Sequence, residues 1–188
     1  MTGSAERPLL FLDADGPLIP FGAASGQYPC GYPTYGTDPA GPDENPLLAR
    51  INPAHGRSLM ALPCELVWAT TWMAEANETI APRLGLPELA VVSWPEPDDE
   101  EADGGAEGEA AQDARRGLHW KTRALVDRAA GRSFAWVDDE ITDIDRTWVS
   151  AHHRGHALLH RVDPRQGLTD ADFDVLGEWL TAEAADGS

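Results

Sequence analysis

Three groups of polar residues close apolar runs and a fourth lies near the first turn of a helical pattern, and their types could share one reaction. LLFLDADG closes on Asp13 and Asp15, one residue apart and followed by Gly16; LVWATT closes on Thr70 and Thr71; HWKT supplies Lys121; FAWVDDEITD closes on Asp138 and Asp139, with Asp143 further on. Carboxylates crowded together repel one another unless a cation sits among them, and an all-oxygen donor set favours magnesium. Magnesium brings phosphate as its second ligand, and an Asp carboxylate can attack phosphorus to form an aspartyl phosphate. The first pair is spaced for two jobs. One carboxylate can approach phosphorus in line, while the other, two residues on, protonates the leaving oxygen and later activates water. Gly16 lets the backbone turn sharply or come close to a ligand.

These groups can converge only if the elements that carry them do. Short continuous apolar runs at residues 9–12, 66–69, 89–92, 134–137 and 157–162 read as strands covered on both faces of a parallel sheet. Helical patterns at 72–84, 118–130 and 170–182 lie between or after them, which argues for crossover helices. The expected architecture is α/β: a doubly wound, Rossmann-like, five-stranded parallel sheet whose ligands gather outside the carboxyl ends of the strands. Gly131 marks a helix stop, Thr169 with Asp172 marks a capping-box start, and Pro82 should kink or shorten the helix it falls in.

With 188 residues the chain supports one domain, residues 1–188. Residues 17–63 are dense in Gly, Pro and Tyr and read as an irregular flap inserted after the first strand, over the site. Residues 95–116 are acidic and lack aromatic and β-branched residues, and read as a mobile surface insertion.

Taken in order and in their strand context, Asp13-x-Asp15-Gly16, Thr70, Lys121 and WVDDEITD resemble the four motifs of the haloacid dehalogenase-like (HAD) superfamily, specifically its phosphatase branch. The match spans residues 9 to about 162. The resemblance implies that Asp13 is the nucleophile and a magnesium ligand, and that Asp15 is the general acid and base, with its carbonyl on the metal. It further implies that Thr70 binds the phosphoryl oxygens, with Thr71 one register slip away, and that Lys121 offsets their charge. Asp138 would hold magnesium directly, assisted by Asp139 or, in a competing reading, by Asp143. A dehalogenase would need neither Asp15 nor the metal acids. A phosphomutase would use the same residues, and a catalytically silent binding module would keep the same crevice.

The 32 acidic residues outnumber the 14 basic ones, for a net charge of -18, which disfavours a polyanionic partner. That points to a small phosphomonoester, a nucleotide or a sugar phosphate. The WATTW segment pulls the other way, being similar to phosphatase-like domains found beside RNA-repair enzymes, whose substrates would be polynucleotide ends. No run reaches the roughly 20 apolar residues of a membrane span, and the N-terminus lacks a signal-peptide core, so a cytoplasmic protein is expected. Cys30 and Cys64 form no zinc spacing and read as free thiols. His152, His153 and His156 read as an exposed loop, and Glu75 and Asn77 as a solvated helix face. Tyr28, Tyr32, Tyr35 and Phe21 could pack the flap or meet a substrate; Arg50, His55 and Arg57 could supply positive charge; Trp72 and Trp120 could line the pocket.

Overall fold

A computed structural model describes residues 7–24, 46–94 and 109–186. Five strands, β1 (Leu9–Leu12), β2 (Glu65–Trp68), β3 (Ala90–Val91), β4 (Phe134–Asp138) and β5 (Ala157–Arg161), form one parallel sheet in the order β3-β2-β1-β4-β5. The helices are α1 (Ala54–Ala61), α2 (Glu75–Thr79), α3 (Ala81–Leu84), α4 (Glu109–Arg116), α5 (Thr122–Ala129), α6 (Asp143–His152) and α7 (Asp170–Asp186). The expected doubly wound α/β architecture is the one observed.

Alternation along the strands explains the two layers. Leu10 and Leu12 of β1, Leu66 and Trp68 of β2, and Ala135 and Val137 of β4 face a core shared with Leu59 of α1, Leu84 of α3, and Leu176 and Leu180 of α7. Their neighbours Leu9, Phe11, Val67, Phe134 and Trp136 face a second core with Leu125 of α5 and Val149 of α6. Both faces are covered, so the central strands read as unbroken apolar runs. Full burial of each such large side chain contributes about 1.5–3 kcal/mol. The outer strands differ: β3 is only two residues long, and β5 is buried only at Leu159.

Several boundaries depart from the expected ones. The helix expected from residue 72 is two short pieces, because Pro82 lies at the start of α3, which ends on Gly85 with φ +67°. Helix α5 begins only at Thr122, after a turn carrying Lys121, and ends one residue early, on Ala130 with φ +50°. Within the expected flap, Pro46–Arg50 forms a 3-10 turn and α1 follows, with Leu48, Ile51 and Leu59 in the core. That part of residues 17–63 is therefore body rather than irregular cover; residues 25–45, with Tyr28, Cys30, Tyr32 and Tyr35, lie outside the described residues. Of the acidic stretch, residues 95–108 also lie outside them, and its end is α4, whose Asp113 pairs with Arg123 of α5.

The histidine segment is an exposed loop only at His156, between α6 and β5. His152 closes α6 and stacks on Trp148 at 4.1 Å, and His153 is buried with Nε2 3.0 Å from the Arg132 carbonyl. Asn77 is not on a solvated face either. Its side chain accepts from the Trp68 indole and the Leu89 N–H and donates to the Leu89 carbonyl, tying β2 to the approach of β3. Cys64 is a buried free cysteine, and burial pushes its thiol up to about 12. No helix among the described residues is long and apolar enough to cross a membrane.

Candidate active site

Register brings two of the acids together. Leu12 pairs with Val137, and the Asp13 N–H donates to the Val137 carbonyl at 3.0 Å, so Asp13 and Asp138 leave the sheet side by side. They do so between β1 and β4, where the strand order reverses, the place at which an open α/β sheet leaves a crevice. Lys121 joins them: its Nζ lies 2.8 Å from Asp13 Oδ2 and 2.8 Å from Asp138 Oδ2. All three residues are buried.

Lys121 sits on a turn, and its position comes from a residue the sequence reading missed. Asp145 is fully buried in the first turn of α6, where it forms a capping box with Thr142. Its Oδ2 accepts from the N–H and hydroxyl of Thr142. Its Oδ1 accepts from the His119 N–H and the Thr122 hydroxyl, both at 2.8 Å. One carboxylate thus fastens the residues flanking Lys121 to the helix that follows β4. Burial raises this carboxyl, but the donors outweigh burial and hold it below its ordinary value. The signal was readable as Thr142-x-x-Asp145, the same pattern expected and observed at Thr169 and Asp172.

Asp15 lies on the turn after β1, where its Oδ2 accepts from the Trp72 indole N–H at 3.0 Å. The donor comes from a tryptophan that the sequence marked only as pocket lining. Gly16 has φ +86°, and a Cβ there would come within 2.5 Å of Asp139 Oδ1. Glycine is required twice, by backbone conformation and by the carboxylate against it.

Thr70 is fully buried; its Oγ1 accepts from the Trp72 N–H at 3.4 Å, and its carbonyl accepts from the Trp94 indole at 3.2 Å. Thr71 is exposed. Asp139 is half-buried and offers an oxygen within 4.8 Å of oxygens on Asp13 and Asp138. Asp143 points away from this group: its side chain is fully exposed and sits 3.5 Å from Arg146 on its own helix. Of the two acids left open, the fold places Asp139 in the cluster.

Charge within the cluster does not balance. Burial pushes the Asp13 carboxyl up, Asp138 adds to the effect and Lys121 opposes it, leaving it at about 7. Burial likewise raises Asp139, with Asp138 adding to it. Burial acts against the Lys121 ammonium, but Asp13 and Asp138 outweigh it and hold that group above its ordinary value. One ammonium is shared among three carboxylates. An oxygen-only set of this size and charge fits a hard divalent ion such as magnesium.

This sheet order, with a paired Asp motif on the first strand and a buried lysine at the switch point, defines a Rossmann-like HAD fold. The chain belongs to that superfamily: the family model described as the HAD domain in Swiss Army Knife RNA repair proteins matches residues 9–173. No curated protein and no solved structure gives a significant match.

Proposed function

We propose that the chain is a magnesium-dependent phosphomonoester hydrolase that works through an aspartyl phosphate on Asp13 and acts on the phosphorylated end of a polynucleotide. The observation that carries the chemistry is the buried Lys121 held 2.8 Å from both Asp13 and Asp138. In the first step an Asp13 oxygen bonds to phosphorus, the ester P–O bond breaks, and Asp15 gives its proton to the leaving oxygen. In the second, Asp15 takes a proton from water as that water attacks the phosphorus, releasing inorganic phosphate and restoring Asp13. The Thr70 hydroxyl, already accepting from Trp72, retains a hydrogen to donate to a phosphoryl oxygen. Lys121 offsets charge on the transferring group. Magnesium, held by Asp13, Asp138 and Asp139, would supply further charge neutralisation at the phosphoryl oxygens.

The choice of substrate turns on two opposed considerations. Chain-wide charge acts on long-range steering and favours a small phosphomonoester. A terminal phosphate, however, is gripped by a few local groups, and the matched family is named for RNA repair proteins. Arg161 also stands at the rim of the metal acids, its Nε donating to the Asp139 carbonyl at 2.9 Å. These favour a polynucleotide end.

The test is phosphate release from RNA pentamers phosphorylated at either end, from mononucleotides and from sugar phosphates, with magnesium and with chelator. Release is expected to be fastest from the pentamers, to require metal, and to fall at least about 10³-fold in Asp13→Asn. A preference for sugar phosphates or mononucleotides would return the substrate to small metabolites. Activity unchanged in Asp13→Asn would remove Asp13 as nucleophile.

A further inference from the structure

Trp120 is 51% exposed, the most exposed aromatic side chain among the described large hydrophobics. Single exposed apolar residues are ordinary and need no function. This one is held in place. Trp94 meets it edge to face, with ring centroids 4.8 Å apart, and His119 stacks beside it at 5.7 Å. Both supports are fastened to the catalytic frame. The Trp94 indole N–H donates to the Thr70 carbonyl, and the His119 ring packs on Trp136 and accepts from the Lys121 N–H.

The exposed indole is also close to the chemistry. Lys121 Nζ lies 5.5 Å from its ring centroid and 2.8 Å from the Asp13 carboxylate. The exposed indole surface and the reacting carboxylate thus share Lys121 as a common neighbour. The site is already crowded with carboxylates, so a neutral flat ring is a better occupant of that surface than a further anion. Every nucleobase has such a face, and stacking on an aromatic side chain is tolerant of sequence.

We infer that Trp120, braced by Trp94 and His119, is the platform on which the base of the terminal nucleotide stacks while its phosphate meets Asp13. The inference rests on the phosphatase reading for the identity of the reacting end, but the stacking can be measured without turnover. It makes Trp120 a determinant of specificity: a nucleoside end is favoured over an end that lacks a base, whatever the base is.

The experiment compares wild type, Trp120→Ala and Trp120→Phe on RNA pentamers phosphorylated at either end, on the same pentamers with an abasic terminal ribose, and on glycerol phosphate. Equilibrium binding of the pentamers is measured in the Asp13→Asn background, with and without Trp120→Ala. Trp120→Ala is expected to raise KM and Kd about 5- to 150-fold for the base-bearing end. It should leave the abasic end and glycerol phosphate unchanged, and Trp120→Phe, which keeps a stacking face, should recover most of the loss. Equal loss on base-bearing and abasic ends, or no loss on either, overturns the platform while leaving the phosphatase reading intact. Base-dependent, Trp120-dependent binding without turnover of any phosphoester keeps the platform and removes the phosphatase. Failure of the wild type and Asp13→Asn to bind or process any pentamer removes the platform and the polynucleotide end, and turnover of glycerol phosphate beside it keeps the phosphatase.

Discussion

Asp15 does its proposed work with an indole N–H on one oxygen, and that bond assigns Trp72 the task of aiming the carboxyl group. Hydrogen bonds to a charged group are worth about 1.5–3 kcal/mol. Trp72→Phe keeps most of the ring and removes the donor. It should lower kcat/KM about 10-fold or more for an alkyl phosphate, and much less for nitrophenyl phosphate, whose leaving group departs without a proton. Steady-state kinetics on the two substrates checks this, and an equal loss on both would mean that the indole only packs. The contrast between Asp139 and Asp143 also belongs to this scale. Both follow Asp138 closely in the chain, yet Asp139 is pressed against Gly16 while Asp143 turns to solvent.

Among the elements, the junction between α5 and α6 decides where Lys121 stands. Asp145 caps α6 and at the same time holds His119 and Thr122, on either side of the lysine. Asp145→Asn replaces one accepting oxygen with a donor that faces donors. It should cost about 1–3 kcal/mol in urea unfolding and reduce activity by loosening Lys121. The pH dependence has a definite sign. The folded carboxyl is held below its ordinary value of 3.8, so its contribution is complete above that pH and is lost as pH falls through the lower folded value. The stability gap between wild type and Asp145→Asn should therefore be constant from neutrality down to about pH 5 and shrink below about pH 4. A gap that widened in acid would contradict this. Acid titration followed by circular dichroism distinguishes the two outcomes.

For the molecule as a whole, the carboxylate cluster is a cost of folding that a bound cation would relieve. Three acids and one ammonium share the switch point, and burial drives Asp13 up to about 7. A ligand that binds only the folded state stabilises it by about 2.7 kcal/mol at a concentration 100 times its Kd. For a domain of this size that is a Tm rise of several degrees, at roughly 2–4 °C per kcal/mol. Protons compete with the metal for the same oxygens, so the rise on adding magnesium should be larger at pH 7.5 than at pH 5.5. Asp139→Asn should diminish it. Differential scanning fluorimetry across both pH values provides the measurement, and a shift indifferent to pH and to Asp139 would place the ion elsewhere.

The strands, their parallel arrangement, and the exit of Asp13 and Asp138 side by side from the sheet were legible in the order of residues. Each depends on local patterning: apolar runs long enough for a buried strand, closed by polar residues, in a sequence that alternates with helices. The long segment after β1 reads as irregular throughout, because its Gly and Pro content hides Leu48, Ile51 and Leu59, whose burial depends on a sheet formed elsewhere in the chain. Only the tertiary structure decided which second acid joins Asp138, that Asp145 anchors the lysine turn, and that Trp72 reaches Asp15. Those choices rest on hydrogen bonds spanning 26 and 57 residues and on the direction a side chain takes after a turn, and neither is encoded by spacing along the chain.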